Sequence, residues 1–164
     1  MRIIRSLALF AAGIVFGTFM MQPSAAQQEG SKGLRLNHVG MYVKNFDESM
    51  NFYTKTMGFP EAFRVTNPAG QVQLVYVQIS QNTFVELLPD NAQRPPGINH
   101  FGVHVDNMAA ATAMFKQRGA NVGEIINSGT KAILSNIIDP NGVRMELAEL
   151  PPESLHRQAM QRWK

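Results

Sequence analysis

The sequence predicts an α+β fold made of two copies of one β-α-β-β-β module. The first observation is a repeated phrase: NHVGMYVKNF at 37–46 returns as NHFGVHVDNM at 99–108, with five of the ten residues identical. The second is a helical pattern after each phrase, and the third is a set of three strand-like runs after each helix. An internal repeat of two modules therefore organises the chain.

Module one is predicted to span residues 34–90. The alternating apolar stretch 34–43 favours a first strand, and the residues that follow favour a helix that begins after Asn45 and stops at Gly58. The apolar face of this helix is predicted to carry Phe46, Met50, Tyr53 and Met57. Strands are then expected at 60–67, 72–80 and 83–89, separated by turn residues.

Module two is predicted to span residues 98–150, after a proline-rich linker at 89–97. It repeats the order: a strand at 98–106, a helix that ends at Gly119, and strands at 122–128, 132–138 and 143–150. The apolar face of its helix is predicted to carry Met108, Ala111 and Phe115. The tail 151–164 breaks the repeat. Leu155, Ala159 and Trp163 form one stripe of a short helix, expected to dock on the body or on a second subunit.

The N-terminal segment has the pattern of a signal peptide over residues 1–26. Arg2 and Arg5 precede an uncharged run at 7–21, and Ser24 and Ala26 stand at the small-x-small positions of a cleavage site. An uncleaved anchor is the alternative, although a spanning helix needs about 20 apolar residues. Residues 27–33 would then form a flexible start of an exported chain, periplasmic or secreted, with no stable membrane span. The chain has no cysteine, so no disulfide can form.

The charge of the chain gives no sign of a nucleic-acid partner. Removing residues 1–26 lowers the formal net charge from +3 to +1, because Arg2 and Arg5 are lost and no acidic residue is. The sequence also contains no basic stripe with interleaved aromatic residues, the pattern typical of nucleic-acid binding. The sequence therefore predicts no nucleic-acid partner.

The repeat carries a pair of polar side chains in each copy. Each module has a histidine on its first strand, His38 or His100, and a glutamate on its last strand, Glu86 or Glu146. One such residue alone is more often structural, but four in register through a repeat indicate a site. Two imidazoles and two carboxylates suit one divalent ion, such as Zn, Ni, Co, Mn or Fe(II). Without an ion, converging carboxylates would repel each other.

These residues resemble the metal ligands of the vicinal oxygen chelate superfamily, which includes glyoxalase I, bleomycin-resistance proteins, extradiol dioxygenases and methylmalonyl-CoA epimerase. The resemblance covers residues 34–150, through the phrases NHVGMYVKNFDESMNFYTKTMGF, FVELLPD, NHFGVHVDN and DPNGVRMEL. It implies that each βαβββ module curls into a half-barrel. It also implies a bound metal that chelates two adjacent oxygens of a small substrate.

The complete His/Glu/His/Glu set is most similar to glyoxalase I, a lyase/isomerase. The resemblance implies that His38, Glu86, His100 and Glu146 hold the metal, that Glu146 is the proton-moving base, and that Glu86 is its counterpart. Two positions depart from the glyoxalase pattern. Tyr42 stands where glyoxalases often carry an arginine for glutathione, and Val143 stands where they usually have a tyrosine. Whether glutathione is used is therefore left open.

Strand alternation adds three substrate-binding candidates. Tyr42 shares a strand face with His38, His104 shares one with His100, and Arg144 shares one with Glu146. A packed tyrosine, a hydrogen-bonded histidine and a surface arginine are the structural alternatives. Gly40 and Gly102 would leave room beside the metal or relieve crowding where strands bend.

Two other functions compete with a glyoxalase-like enzyme. Extradiol dioxygenases use two histidines and one glutamate to bind non-haem Fe(II). Bleomycin-resistance relatives sequester a small molecule without turnover, and they commonly lack the ligands that this chain keeps. The site could be completed within one chain or across a homodimer, and the sequence leaves both arrangements open.

Overall fold

A computed structural model describes residues 33–164, so the predicted signal peptide (1–26) and nearly all of segment 27–33 lie outside the described residues. Eight strands form one sheet. They are β1 (Arg35–Val43), β2 (Glu61–Thr66), β3 (Val72–Ser80), β4 (Thr83–Pro89), β5 (Gly97–His104), β6 (Ile126–Asn127), β7 (Ile133–Ile138) and β8 (Arg144–Glu149). The helices are α1 (Phe46–Asn51), α2 (Met108–Gln117) and α3 (Leu155–Arg162).

The strand order confirms the two-module fold. The sheet runs β2-β3-β4-β1-β5-β8-β7-β6, so each module contributes four adjacent strands and the modules meet where β1 pairs with β5. The first and last strands of each module are parallel neighbours, β1 with β4 and β5 with β8. The result is a mixed, curled half-barrel in which the four predicted ligand strands are consecutive at the centre.

The two module helices cover one face of the sheet. On the central strands every second side chain packs under a helix. Val85 and Leu87 pack under α1, and Val103 and Leu147 pack under α2. The side chains between them, among them Glu86, must point to the opposite face. This alternation leaves the inner face of the half-barrel for the site.

The N-terminal cap of α1 and the glycines after both helical segments agree with the predicted bounds. The side chain of Asn45 accepts a hydrogen bond from the backbone of Glu48 at 3.1 Å, and Asn107 caps α2 in the same way. Gly58 and Gly119 follow the helices with φ of +73° and +86°, a left-handed conformation that glycine adopts without a Cβ penalty.

The predicted apolar face of α1 is wrong at its last position. Residues Phe52–Thr56 continue the helix with π-type hydrogen bonds, which add residues to the turn. Phe46, Met50 and Tyr53 pack on the sheet, but the wider turn rotates Met57 away, and it is 47 % exposed.

The sixth strand is much shorter than predicted. Only Ile126–Asn127 pair with β7, although Val122 forms an isolated bridge with Ile137. Between them Gly123 donates its backbone N–H to Asn136 at 2.8 Å and accepts a hydrogen bond from Ser135. These contacts take the chain out of the regular ladder, so 122–128 is not one strand.

The tail helix docks on the body, on the inner face of the half-barrel. Its buried residues are His156, Ala159 and Met160, and the last two belong to an apolar cluster with Tyr76 and Phe84. The predicted stripe was therefore wrong in part. Trp163 follows the helix in extended conformation, and Leu155 is only half-buried, so the packed face is turned by one residue from the predicted one.

Among residues 33–164, no helix has the length and apolar character needed to cross a bilayer. The four predicted ligands all come from one chain, so a second subunit is not needed to bring them together. A homodimer stays a prediction.

Candidate metal centre

The two copies of the repeat face each other across the β1–β5 pair. In the antiparallel register His38 lies opposite Gly102, and Gly40 lies opposite His100. On the outer side of each strand, Gly40 pairs with Glu86 and Gly102 pairs with Glu146. The repeated His-x-Gly phrase therefore places each histidine over the glycine of the other copy.

The two imidazole rings meet inside the half-barrel. Their Nε2 atoms are 3.0 Å apart, and both rings are almost completely buried. Glu86 Oε2 lies 3.1 Å from His100 Nε2 and 4.0 Å from His38 Nε2. Glu146 Oε1 lies 3.5 Å from His38 Nε2. All four predicted metal ligands thus converge, as the sequence indicated.

The four side chains are not equivalent. His38, Glu86 and His100 form a compact group in which the ligand atoms all lie within 4.8 Å of one another, and Glu146 joins this group through His38. The other oxygen of Glu146 accepts a hydrogen bond from Arg144 at 3.2 Å. Three residues therefore form a triad, and the second carboxylate, Glu146, lies beside it.

An asparagine precedes each histidine and orients its ring. Asn37 Oδ1 lies 3.0 Å from His38 Nδ1, and Asn99 Oδ1 lies 3.0 Å from His100 Nδ1. The Asn37 amide nitrogen donates to the Asn82 carbonyl, which identifies the other atom as the oxygen. The oxygen can only accept, so His38 carries its proton on Nδ1 and turns the lone pair of Nε2 toward the site.

Arg144 ties the second module's half of the centre together. It donates to Asn136 and Glu146 through Nη1 and to Asn99 through Nη2. Nη2 also lies 2.6 Å from His100 Nδ1. If Arg144 donates there, the His100 proton sits on Nε2; if Asn99 accepts from Nδ1, Nε2 is free to bind an ion. Arg144 therefore lies beside the nitrogen, Nδ1, whose protonation decides which tautomer His100 adopts.

Burial sets the charge of the centre. It lowers the pKa of His38 well below its ordinary value, and the neighbouring His100 lowers it further, so His38 is a neutral imidazole. Burial also raises the pKa of Glu146, to which the Glu86 carboxylate adds. The Tyr76 phenol has its pKa raised well above the usual range, again by burial first and then by Glu86. A neutral histidine and a more basic carboxylate suit metal binding and proton transfer.

The donor set fits a single divalent ion. Two ligands about 2.1 Å from one ion lie about 3.0 Å apart when they are adjacent at right angles, and about 4.2 Å apart when opposite. The distances of 3.0, 3.1, 3.5 and 4.0 Å fall in this range. A divalent cation between the two facing Nε2 atoms would also offset the negative charge of the two adjacent carboxylates.

Two cavities open on the centre. The inner cavity, about 150 Å³, lies between the sheet and α3, and Tyr76, Thr130 and His156 line it together with His38 and both glutamates. The outer cavity, about 460 Å³, lies on the other side of the centre. Its wall includes Tyr42, Arg94, Asn99, His100, Arg144 and both glutamates.

The three predicted substrate-binding residues have different surroundings. Tyr42 and Arg144 line the outer cavity, and the Arg94 guanidinium lies 5.7 Å from the centre of the Tyr42 ring. The walls of the two cavities, as the described residues form them, do not include His104. His104 instead lies 3.4 Å from the Arg35 guanidinium. A substrate role for each of the three stays a prediction.

Sequence reasoning missed several residues of the centre. Asn37 and Asn99 had a visible signal, because the repeat contains Asn-His in both copies and an amide beside a ligand histidine can fix its tautomer. Tyr76 lies opposite Glu86 on the neighbouring strand, a pairing that depends on register. His156 comes from a tail outside the repeat, and no pattern pointed to it.

Replacing Asn37 by alanine is expected to lower the affinity for a divalent ion by about 10–100-fold, because His38 loses the acceptor that fixes its tautomer. The measurement is a calorimetric titration of the metal-free protein with Zn²⁺. Asn107→Ala is the matched control, since it removes the cap of α2, costing about 1 kcal/mol of stability, without touching the centre. Equal losses of affinity in the two variants would contradict the positioning role.

Comparison with known proteins agrees with this geometry. The Glyoxalase/Bleomycin resistance protein/Dioxygenase superfamily matches residues 35–147. Over 125 residues the chain is 28 % identical to a lactoylglutathione lyase of Escherichia coli O157:H7, covering 71 % of this chain and 93 % of the relative. Over 154 residues it is 27 % identical to a mitochondrial methylmalonyl-CoA epimerase of Mus musculus, covering 83 % and 86 %.

Solved structures show the same fold. A methylmalonyl-CoA epimerase of Streptomyces coelicolor superimposes with a TM-score of 0.62 at 21 % identity, covering 73 % of this chain and 96 % of that one. The epimerase of Mycobacterium tuberculosis gives a TM-score of 0.60 at 19 % identity, covering 70 % and 86 %. With its paired βαβββ modules, its two facing His/Glu pairs and the match over 35–147, the chain belongs to the Glyoxalase/Bleomycin resistance protein/Dioxygenase superfamily, the vicinal oxygen chelate proteins.

Proposed function

We propose that this chain is a metal-dependent lyase or isomerase of the glyoxalase I type, which moves a proton between adjacent carbons of a small substrate. The observation that carries the proposal is that the four residues of the centre have two different arrangements. His38, Glu86 and His100 form a compact triad, and Glu146 stands beside it with a raised pKa. The lyase and epimerase relatives support an enzyme of this family.

Glu146 is the proposed base. Its Oε2 accepts a hydrogen bond from Arg144, its Oε1 lies 3.5 Å from His38 Nε2, and the residue lines both cavities. Burial makes this carboxylate more basic, which brings its pKa closer to the working pH of a general base. Glu146 would take the proton from one carbon and return it to the neighbouring carbon. The electron pair moves through the substrate and back, so no oxidant or reductant is consumed.

The other three residues would hold a divalent ion, of which Zn, Ni, Co, Mn and Fe(II) all suit the donor set. When bound, the ion supplies Lewis-acid polarisation of two adjacent substrate oxygens. Tyr76 keeps its phenolic proton at any ordinary pH, so it can donate to Glu86 or to a substrate oxygen in the inner cavity. The substrate would be a compact molecule with vicinal oxygens, and the outer cavity beside Tyr42 and Arg144 would accept any extension of it.

We also propose that the protein is exported to the periplasm or the medium. The support is the sequence of residues 1–26, with its two arginines, uncharged run and small-x-small ending. Export would separate the protein from cytoplasmic thiols and CoA esters. The substrate class of the curated relatives therefore transfers only as a reaction type, a proton shift next to a carbonyl.

Turnover by the metal-loaded protein tests the function. Zn²⁺-, Ni²⁺-, Co²⁺- and Fe(II)-loaded samples are offered hemithioacetals, α-keto compounds, thioesters with an acidic α-carbon, and catechols. We expect proton exchange at carbon, seen as deuterium uptake from D₂O by NMR. Glu146→Gln should slow it by about 10²- to 10⁴-fold, the usual cost of losing a general base. Glu149→Gln, on the other face of β8, is the control. Metal uptake without exchange in any of these substrates would count against the proposal.

An Fe(II) dioxygenase is the second candidate, and one observation favours it. The compact triad has two histidines and one glutamate, the ligand set of non-haem Fe(II) oxygenases. Oxygen consumption with catechols under Fe(II) separates the two functions. Under the same conditions a proton-transfer enzyme should take up deuterium at carbon without consuming oxygen.

A further inference from the structure

The tail helix turns the metal centre into a walled cavity. Residues 151–164 lie beyond the part of the chain that the superfamily matches, yet α3 packs on the inner face of the half-barrel. Its contribution to the inner cavity is His156, which lines the wall together with His38, Glu86 and Glu146. The two modules supply the two histidines and two glutamates of the centre, and the tail adds His156 beside them.

His156 is buried without a hydrogen-bond partner. The residue is 2 % exposed, and neither ring nitrogen has a partner among the described residues. Its neighbours are aromatic rings: Tyr76 at 4.5 Å, Phe63 at 4.8 Å and Phe84 at 5.7 Å between ring centres, all nearly perpendicular. Such contacts accommodate the ring, but they satisfy a nitrogen lone pair and an N–H poorly.

Leaving these nitrogens unpaired is costly. A buried polar atom without a partner costs about 1–3 kcal/mol, and a phenylalanine of similar shape would avoid this cost. Buried polar groups in folded proteins nearly always have a partner, so the missing one should be supplied when the protein works. Because the ring forms part of the cavity wall, a molecule bound in that cavity can supply it.

The distance to the centre sets the size of that molecule. The rings of His156 and His38 are 6.3 Å apart between their centres, and both line the same cavity of about 150 Å³. A substrate held by two oxygens near His38 therefore needs only a few more atoms to reach His156. The apolar surroundings keep the imidazole uncharged, so it suits a neutral hydroxyl, carbonyl or amide and not a free carboxylate.

We propose that His156 is a specificity-determining residue that hydrogen-bonds a neutral polar group of the substrate, a few atoms from its vicinal oxygens. This rests on the proposed function and names the substrate class: compact polar carbonyl compounds whose second polar end lies in the inner cavity. The small volume of the inner cavity, about 150 Å³, leaves a bulky extension the wider outer cavity of about 460 Å³.

The test compares two chelating probes on the Zn²⁺-loaded full chain. Propionohydroxamate and 3-hydroxypropionohydroxamate share the vicinal oxygens, and the second carries a hydroxyl at the far end. Calorimetry gives the dissociation constant of each. We expect the hydroxylated probe to bind about 10-fold more tightly to the parent protein. His156→Phe should abolish this preference while it keeps the affinity for propionohydroxamate, and His156→Gln, which keeps a donor and an acceptor, should retain part of it.

Two further measurements separate this role from a structural one. Met160→Leu changes a buried side chain of the same helix, so it should keep the probe preference. The metal-free His156→Phe protein should melt at the same temperature as the parent or higher, because two unpaired nitrogens are gone. The inference is overturned if His156→Phe keeps the preference, if the parent shows none, or if the phenylalanine variant is destabilised and loses both probes equally. In each case the proposed function stands as long as Zn²⁺ is bound; a chain that binds no divalent ion overturns both.

Discussion

Changing Glu86 and Glu146 together to glutamine is expected to give a folded protein that no longer binds a divalent ion. The two carboxylates supply the negative charge of the centre, and without them only the two imidazole nitrogens of His38 and His100 are left as ligands. The loss should exceed the 10–100-fold drop that removal of an outer partner causes. Glu86→Gln alone should weaken binding more than Glu146→Gln, because Glu86 belongs to the compact triad and Glu146 lies beside it, 3.5 Å from His38 Nε2.

Thermal unfolding with and without Zn²⁺ measures this effect. An ion at 100 times its dissociation constant stabilises the folded state by about 2.7 kcal/mol, which raises the melting temperature by several degrees. The double variant should show no such rise. Without metal it should be at least as stable as the parent, because two neutral amides replace carboxylates that repel each other. Glu149→Gln is the matched control, since this residue lies on β8 and accepts a hydrogen bond from Met108 on the other side of the sheet. A Zn²⁺-dependent rise in the double variant would show that the ion binds elsewhere.

The parts of the fold that the sequence predicts well are those that repeat. The two copies of Asn-His-x-Gly are each followed by a helix and by a strand with a glutamate. An element placed wrongly in one module would no longer match its counterpart in the other. The same repeat points to the four side chains that the structure brings together. A glutamate between apolar residues is ambiguous alone, but Glu86 and Glu146 occupy equivalent strands, and parallel pairing sets each of them beside its own module's first strand.

The features that the sequence hides depend on contacts without local periodicity. The π-type turn at Phe52–Thr56 changes the helical period after the third contact, so a uniform pattern misplaces Met57. His156 has no counterpart in the repeat, and its position follows from how the tail crosses the sheet. The roles of Gly40 and Gly102 depend on antiparallel register, which strand pattern alone leaves open. Each glycine faces the histidine of the other copy and makes space for that ring.

Gly40→Ala is the second change with a large expected effect. A Cβ at this position would lie 2.0 Å from Cε1 of His100, far inside any real contact, so the ring must leave its place. Its Nε2 would then move away from His38 Nε2, 3.0 Å distant in the parent, and from Glu86. One added methyl group should therefore weaken metal binding as much as removal of a ligand does, and the overpacking should cost about 1–3 kcal/mol of stability. Gly102→Ala should act in the same way on His38, whose Cε1 is also 2.0 Å from the added carbon.

The control and a double-mutant cycle separate the clash from a general effect on the sheet. At Gly123 an added Cβ has its nearest neighbour, the Asn136 carbonyl oxygen, at 3.5 Å, so Gly123→Ala should leave metal affinity unchanged. In Gly40→Ala/His100→Ala the ring that clashes is gone. This pair should therefore be more stable than the sum of the two single changes predicts, although its metal affinity stays low because His100 is missing. Additive losses of stability would mean that Gly40 serves the bend of β1 and not the opposite histidine. A coupling of the expected sign would show that the His-x-Gly phrase is duplicated because each copy makes room for the ligand of the other.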